Sequence, residues 1–575
     1  MPRRNVTNKN LAQIFSEMAA ILEIKGVDFK PKAFEKAAVS LENLAEEVEE
    51  IYRRGGLPDL EEIPGVGQGL AERIEEFIKT GKIGEYQKLK REFPVAVGEM
   101  MKIEGVGPKI IEKVYEELDI KNVAELKQAA EQGKLRNIAG LGEKLETKIL
   151  RAINFLETEH GRFLLGEILP ISRVILEKIK RAPGVEKIEC AGSLKRMQET
   201  VGDLDFLVVS REAEAVMDFF TKLPEVESVI AKGRTKSSVR LKIGIDADLR
   251  VIEAKSFGAA LQYFIGDKYH NVAVREIAAK RGYKLNEYGL FKGKKTVAAK
   301  DENEIYLALG MAAPPPEIRT NHGEIEAALS KNLPNLIDYD DLQGDLQIQT
   351  DWSDGENSIL EMAKAARAQG LNYILITDHS HRLTVANGLD EKRLLKQAEE
   401  IDKVNGQFSG FKVLKGIEVD ILKDGSLDLS DNALEKLDIV GASIHSHFEM
   451  DERSMTERII RAMENPHVDI IFHPTGRLIQ KRPAYKVDID RIIKTANKTG
   501  TVLEINAFPE RLDLRDEYIR KAVTVGVKLC IDSDAHSVEH LKFLELGIGQ
   551  ARRGWAEKKD VANAHDLKKL SRFFK

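Results

Sequence analysis

From Gly344 to the C-terminus, one pattern recurs seven times: a short apolar run followed by a helical stretch. The runs are "GDLQIQT", "NYILITDHS", "FKVLKGIEVDI", "LDIVGASIHS", "VDIIFHPTG", "TVLEINAF" and "VKLCIDSDAH". Runs apolar on both faces are strands buried on both faces, and helical crossovers make neighbouring strands parallel. Seven such units predict a parallel β/α barrel. Each run turns polar at its C-terminal end, where a β/α barrel gathers its reactive residues. Those ends carry Asp378 and His379, Glu418, His445, His473, and Asp534 with His536, and Asp354 follows in "WSDG". One histidine at a strand end is usually a satisfied polar residue. Four at successive ends beside carboxylates point to a metal centre.

The first 155 residues read differently. Leu11, Ile14, Phe15, Met18, Ile21 and Leu22 recur at helical spacing. A repeat then appears: "IPGVGQGLAERIEEFI" from Ile63, "IEGVGPKIIEKVYEEL" from Ile103 and "IAGLGEKLETKILRAI" from Ile138. A Gly-x-Gly turn before a helix lets backbone amides approach a phosphate, and the helix dipole favours the anion. Three copies sharing I-x-G-[VL]-G resemble the helix-hairpin-helix motif, which grips a DNA backbone without reading sequence. Gly65, Gly67, Gly105, Gly107, Gly140 and Gly142 are the expected contacts, with Lys109 adding a phosphate contact.

The middle segment alternates as a sheet does, in "EKIECAGS", "GDLDFLVVS" and "SSVRLKIGIDADLRVIEA", and an antiparallel sheet with flanking helices is expected. Asp203 and Asp205 stand two apart, on one face of a strand. Two carboxylates ~4 Å apart repel by roughly 4 kcal/mol at an effective dielectric of 20. A proton, a basic partner or a metal must relieve that. "IDADLRV" supplies Asp248, with Asp246 read as a neighbouring surface carboxylate. Three carboxylates on one sheet can hold two Mg²⁺ ions for phosphoryl transfer. Gly192-Ser193 precede the pair, offering amides and a hydroxyl to a triphosphate, and Arg196 offers its fork.

"AGSLKRMQETVGDLD" together with "LQYFIGDKYHNVAVREIAAKRGYKLNEYGLF" resembles the palm and thumb of family X DNA polymerases. With the C-terminal barrel, the whole chain is similar to the bacterial branch that carries a PHP phosphoesterase domain. The implied architecture is multidomain α and α/β. It comprises a helical DNA-binding region (1–95), a second helix-hairpin-helix region (96–155), a nucleotidyltransferase palm (156–255), a thumb (256–313), a linker marked by "AAPPPEI" (314–333) and a distorted (β/α)7 PHP barrel (334–575). The resemblance implies that Asp203 and Asp205 bind both metals, Mg²⁺ or Mn²⁺, and that Asp248 also activates the primer 3′-hydroxyl. It puts Gly192, Ser193 and Arg196 on the triphosphate of a dNTP. Tyr263, Phe264 and Gly266 lie by its sugar and base, Asn271 by the base's minor-groove edge and Arg275 by the template strand. "IGD" at 265–267 departs from the family's T-G-S.

A larger departure lies in the barrel. The first PHP motif is H-x-H, and here Gln347 and Gln349 stand in its place. An amide oxygen is a far poorer ligand for Zn²⁺ or Mn²⁺ than imidazole nitrogen. The ion site those positions share with Glu418 and Asp534 is expected to be crippled. Two others survive: Glu418, His445 and His473, and His379 and His536 with a carboxylate. The expected activity is gap-filling synthesis on gapped or primer–template DNA, with the barrel structural or a feeble 3′→5′ exonuclease.

Two other readings stand beside it: a metal-dependent nuclease or phosphoesterase, against which Gln-x-Gln argues, and a non-catalytic DNA-binding scaffold, against which the acidic trio argues. Net charge of −6 neither demands nor excludes nucleic acid. "MPRRNVTNKN" lacks the apolar core of a signal peptide, no run approaches the length of a membrane span, and Cys190 and Cys530 sit in apolar stretches as reduced thiols would. A cytoplasmic monomer without membrane partners is expected.

Some family members remove a sugar-phosphate through a lysine after the first Gly-x-Gly. Here Arg73 occupies that position, with Gly69 where another lysine often lies. Arginine stays protonated and cannot form a Schiff base. Borohydride trapping on abasic-site DNA should therefore yield little or no adduct. Efficient trapping, lost on changing one N-terminal lysine such as Lys36, would overturn this reading.

Overall fold

The computed structural model describes residues 8–575 apart from 45, 46, 102, 104, 159 and 160. They form two compact units, residues 1–160 with 480–483, and the remainder. Among the described residues no helix is long and apolar enough to cross a membrane.

The first unit is helical. Helix Asn8–Ile24 lies against Lys30–Asn43, with Phe15 and Phe34 edge to face at 5.2 Å. One core runs from these residues through Ile63 and Val66, Ile103 and Val106, and Ile138 and Leu141. The apolar positions of all three repeats are thereby accounted for. In each, the amide of the Val or Leu donates to the carbonyl of the Ile three residues earlier, at 2.9, 2.9 and 3.0 Å. The intervening Gly65, Gly105 and Gly140 take φ of 80°, 88° and 87°. A turn of that form requires positive φ at its third residue, so glycine belongs there.

In the second unit, a five-stranded sheet runs in the order Val185–Cys190, Asp203–Ser210, Asp246–Ile252, Lys236–Leu241, Val226–Lys232. The outer pairings are antiparallel as expected, but the central pair, Asp203–Ser210 with Asp246–Ile252, is parallel. Between those two strands the chain passes through helix Ala213–Thr221 and an antiparallel hairpin, and so returns in the original direction. Alternation marks a strand without marking its direction. Leu204, Phe206, Val208, Val239, Ala247 and Leu249 pack on helices Leu165–Lys180 and Ala213–Thr221, leaving Asp203 and Asp205 on the opposite face.

Helices Phe257–Ile265 and Lys268–Lys280 follow, with a three-stranded antiparallel sheet over Lys284–Asn286, Gly289–Lys292 and Lys295–Ala298. The proline segment after them is packed into the fold. Buried Arg319 donates to the Pro314 carbonyl at 2.8 Å and pairs with Glu302. Helix Glu324–Leu329 puts Ile325 and Ala328 into the same core as Val274 and Leu290. Buried Glu324 meets His270 Nδ1 at 2.7 Å, and His270 Nε2 lies 2.9 Å from the Tyr306 hydroxyl.

The C-terminal strands are Gly344–Ile348, Tyr373–Ile376, Lys412–Asp420, Ile439–Ser443, Ile470–Ile471, Val502–Asn506 and Leu529–Asp532. Each is parallel to the next. The first and last meet at a parallel Ile348–Ala535 bridge, with Gln349 N donating to Ala535 O at 2.9 Å. The result is a nearly closed seven-stranded barrel. Inward positions run from apolar to acidic along a strand: Leu414 to Glu418 and Asp420, Val502 to Glu504, Cys530 to Asp532. The apolar end packs on Ala562 and Leu570 from the C-terminal segment.

Candidate active sites

In the sheet, register does the assembly. Asp205 lies opposite Asp248, and Asp203 opposite Asp246. Burial, then the charges of Asp203 and Asp248, push the Asp205 carboxyl up to about 6. Asp248 has its own relief: Ser238 Oγ donates to it at 2.5 Å and Lys236 Nζ lies at 2.6 Å. Asp246, two residues before Asp248 on the same strand, pairs with Arg240 at 3.1 Å. Asp203, Asp205 and Asp248 are neighbours by register, and they do not form a set whose possible ligand atoms all lie within 4.8 Å. Among the described residues, the sets whose possible metal-ligand atoms converge within 4.8 Å both lie in the barrel.

Gly192 opens the short helix Gly192–Lys195 with φ of 64°, and a Cβ there would stand 2.5 Å from Asp205 Oδ2. Only glycine lets backbone and carboxylate approach so closely. Ser193 Oγ and Arg196 Nε are buried with no hydrogen-bond partner among the described residues, and Arg196 Nη1 donates to the Ile265 carbonyl at 2.6 Å. Unsatisfied buried donors beside a carboxylate cluster suit an anion carried in with cations.

Tyr263 and Phe264 meet edge to face at 5.0 Å, and the Arg250 guanidinium lies 4.9 Å from the Phe264 ring centre. Asn271 is engaged internally. Gln262 donates to its Oδ1 at 3.1 Å, and its Nδ2 donates to the carbonyls of Tyr263 and Gly266 at 2.7 and 3.0 Å. It pins the bend between the two helices, where a Cβ on Gly266 would strike Asn271 Oδ1 at 2.6 Å. The departure at Asp267 has a local reason: its carboxylate accepts the His270 amide at 2.7 Å and caps helix Lys268–Lys280. Arg275 Nε donates to the Asn271 carbonyl at 3.1 Å.

At the barrel mouth, Glu418 is the hub. His379 Nδ1 lies 3.1 Å from it, His445 Nε2 3.3 Å and His473 Nε2 2.9 Å. Asp354 stands 3.5 Å from His379 Nε2 and 3.7 Å from His536 Nε2. Two convergent sets result, Asp354–His379–His536 and His379–Glu418–His445. These donors fit Zn²⁺ or Mn²⁺. His379 belongs to both sets, yet a neutral imidazole has one lone-pair nitrogen, so it serves one of them at a time. Burial disfavours its charged form, but Glu418 and Asp354 outweigh burial and raise His379 to about 10.

The position expected to be crippled holds donors of the wrong polarity. Gln349 Nε2 donates to Glu418 Oε2 at 3.2 Å. Asn506 Nδ2 donates to Gln347 Oε1 at 3.0 Å and to Asp534 Oδ2 at 3.1 Å, and Arg511 Nε lies 3.3 Å from that same Asp534 oxygen. Amide and guanidinium N–H groups stand where a cation needs lone pairs, so this donor set does not fit a metal. Asp378 is not brought into the cluster either. Its oxygens are taken by Thr350, Ser353 and Gln397, which anchor the loop carrying Asp354.

In the helical unit, Gly67 and Gly107 are extended residues preceding helices Gln68–Thr80 and Pro108–Leu118, and a Cβ on either would meet nothing within 4 Å. Space beside both glycines is free of other described atoms. The third differs: Gly142 is already the first residue of helix Gly142–Thr158, with φ of 45°. Lys109 is exposed at the start of its helix. Arg73 is committed to Glu85 at 2.6 Å, while the Lys36 side chain runs against Gly65.

Comparison with known proteins bears on all of these sites together. Residues 6–83 match a helix-hairpin-helix domain, 97–154 a SAM-like helix-hairpin-helix tandem, 260–320 the DNA polymerase beta thumb and 345–508 the PHP domain. The chain is 41% identical over 572 residues to the DNA polymerase/3′-5′ exonuclease PolX of Bacillus subtilis, covering 99% of each protein. The chain belongs to the family X DNA polymerases. It is 25% identical over 307 residues to DNA polymerase lambda of Arabidopsis thaliana, spanning 49% of this chain and 54% of that one. It is 37% identical over 190 residues to a probable phosphatase of a Thermoanaerobacter species, spanning 31% of this chain and 73% of the relative.

Several residues of this family X polymerase escaped the sequence reading. Lys236, Ser238 and Arg250 share the carboxylate face only through strand register. Arg162 lies far upstream, yet donates to Thr200 Oγ1 at 2.8 Å and reaches within 3.1 Å of a Cβ placed on Gly202. Asp420, 3.5 Å from His445 Nδ1, could have been found, since it stands two residues after Glu418 on the same strand face. Asn506 and Arg511 carried no signal of their own.

Gly192→Ala tests the close approach. It should lower nucleotidyl transfer about 100-fold or more by displacing Asp205, measured on variant protein shown to be folded. Near-normal kcat in that variant would show that the contact is dispensable.

Proposed function

We propose that this family X polymerase fills short gaps in DNA during repair, joining a dNTP to a primer 3′-hydroxyl with loss of pyrophosphate. The observation that carries the reading is Asp205, held in register with Asp248 and packed against the Gly192 turn. A pocket that crowds carboxylates and raises one of them to about 6 is built for a cationic occupant. Asp203, Asp205 and Asp248 would hold Mg²⁺ or Mn²⁺. When bound, such ions supply neutralisation of the attacking and leaving oxygens. Ser193 and Arg196 orient the triphosphate through the donors they leave unpartnered. Asp248 takes the proton of the primer hydroxyl, with Tyr263 and Phe264 beside the sugar. The turns at Gly65–Gly67 and Gly105–Gly107 hold the DNA backbone, with Gly140, Gly142, Lys109 and Arg275 as further contacts, and the domain limits given above divide this labour.

The relative in B. subtilis is also named a 3′-5′ exonuclease. For this chain the barrel reads as structural or feebly nucleolytic, because Gln349 and Asn506 present N–H groups to Glu418 and Asp534.

Both parts are open to direct test. On gapped primer–template with dNTPs and Mg²⁺ or Mn²⁺, the wild type should add nucleotides and Asp203→Ala should fall by about 10³-fold. A wild type that leaves the primer unextended would overturn the polymerase reading. On labelled single strands with Mn²⁺, the wild type should trim slowly, and Gln347→His with Gln349→His should accelerate it. Robust wild-type trimming abolished by His473→Ala would overturn the barrel reading.

A further inference from the structure

The barrel motif "HPTGR" places His473 at the Glu418 hub, but its arginine goes elsewhere. Arg477 is almost wholly buried and donates through Nη1 and Nη2 to Glu199 at 2.9 and 2.6 Å. Glu199 belongs to the palm, three residues after Arg196. Gln550, on barrel helix Leu544–Arg553, donates to the same carboxylate at 2.8 Å. Beside it, Met197 takes a left-handed φ of 50° and is buried with the barrel residues Ile479, Leu512 and Leu546. A Cβ on Gly549 would stand 2.7 Å from the Met197 Cε. The nucleotide turn therefore ends in a socket made by the barrel.

The socket is mechanically connected to the donors. The Gln198 amide donates to the Ser193 carbonyl at 3.1 Å, and the Met197 amide to the Leu194 carbonyl at 3.0 Å. On the barrel side, Arg477 also holds the Leu512 carbonyl, and Thr475 is fixed by Asp513 at 2.9 Å through both amide and hydroxyl. A bidentate guanidinium–carboxylate pair fixes orientation as well as distance. A non-glycine residue at positive φ persists only where its surroundings over-determine it.

We propose that Arg477 is a positioning residue for nucleotidyl transfer: by gripping Glu199, the barrel sets the Ser193–Arg196 turn in the geometry that receives the triphosphate. This rests on the reading of Ser193 and Arg196 as triphosphate contacts. It gives the barrel a part in synthesis independent of its own hydrolytic chemistry.

Steady-state gap filling by the full-length protein tests it, with Arg477→Ala, Arg477→Lys, Glu199→Gln and the Arg477→Ala/Glu199→Gln double variant. KM for dNTP should rise about tenfold or more in Arg477→Ala and Glu199→Gln, while kcat and affinity for gapped DNA stay within about threefold. The double variant should be no worse than the worse single one, since both remove one interaction. Arg477→Lys should recover part of the loss. Folded variants with wild-type KM, or single effects that multiply in the double variant, would overturn the proposal. A measurement on the wild type covers variants that fail to fold. In the complex with a dideoxy-terminated gapped primer, adding dNTP and Mg²⁺ should raise hydrogen-exchange protection in 193–199 and in 475–479 together, because coupling is reciprocal. Protection confined to 193–199 would also overturn it. A wild type unable to extend primers sinks the reading beneath; a competent wild type with indifferent Arg477 variants sinks only the coupling.

Discussion

Like charge forced together on one sheet face is the constraint around which the palm is built. Asp203, Asp205 and Asp248 share that face because one strand carries D-x-D and the next is parallel to it in the register that sets Asp205 against Asp248. Carboxylates brought together in this way repel unless something positive relieves them, and the burial falls chiefly on Asp205. The surroundings show where the relief comes from: Lys236 and Ser238 attend Asp248, while Asp205 is left raised. That asymmetry leaves charge demand on Asp205, beside a glycine turn with unpartnered donors.

The barrel answers a similar problem with different means. Glu418 is buried among three imidazoles, and burial, which would raise its pKa, is outweighed by His379 and His445, which hold it well below the usual carboxylate range. Deeper inside, burial pushes Glu504 and Asp532 well up, and Asp345 to about 7. The barrel thus carries acids held low by basic neighbours, Glu418 by histidines and Asp534 by His536 and Arg511, and a deeper layer pushed up by burial. Gln347, Gln349 and Asn506 join the upper layer as hydrogen-bonding groups. That network is only partly satisfied: among the described residues, Gln347 Nε2, Gln349 Oε1 and Glu504 Oε1 are buried with no hydrogen-bond partner.

Palm and barrel also share material. Ile479, Leu512 and Leu546 of the barrel sit in the palm's core cluster with Leu204, Phe206 and Met197. Arg173 pairs with Glu545, and Arg477 with Glu199. An apolar seam stapled by guanidinium–carboxylate pairs makes the two modules one compact unit. A change in barrel chemistry need not release the barrel from the fold.

Much of this was legible in the chain itself. The seven apolar runs with polar ends, the D-x-D pair, the Gly-Ser turn before it and the three I-x-G-[VL]-G turns are local patterns, and local sterics and periodicity determine them. The glutamines replacing histidines were legible too, because ligand quality is a property of the side chain. Contacts between segments distant in sequence were not. The parallel direction of the central pair, the placing of Lys236 on Asp248, the approach of Arg162 to Gly202 and the grip of Arg477 on Glu199 all join such segments. Alternation leaves strand direction open, and a lone arginine or lysine looks the same whether it faces solvent or a buried carboxylate. The tertiary structure decided those matters, because partners are chosen by which surfaces must be buried together.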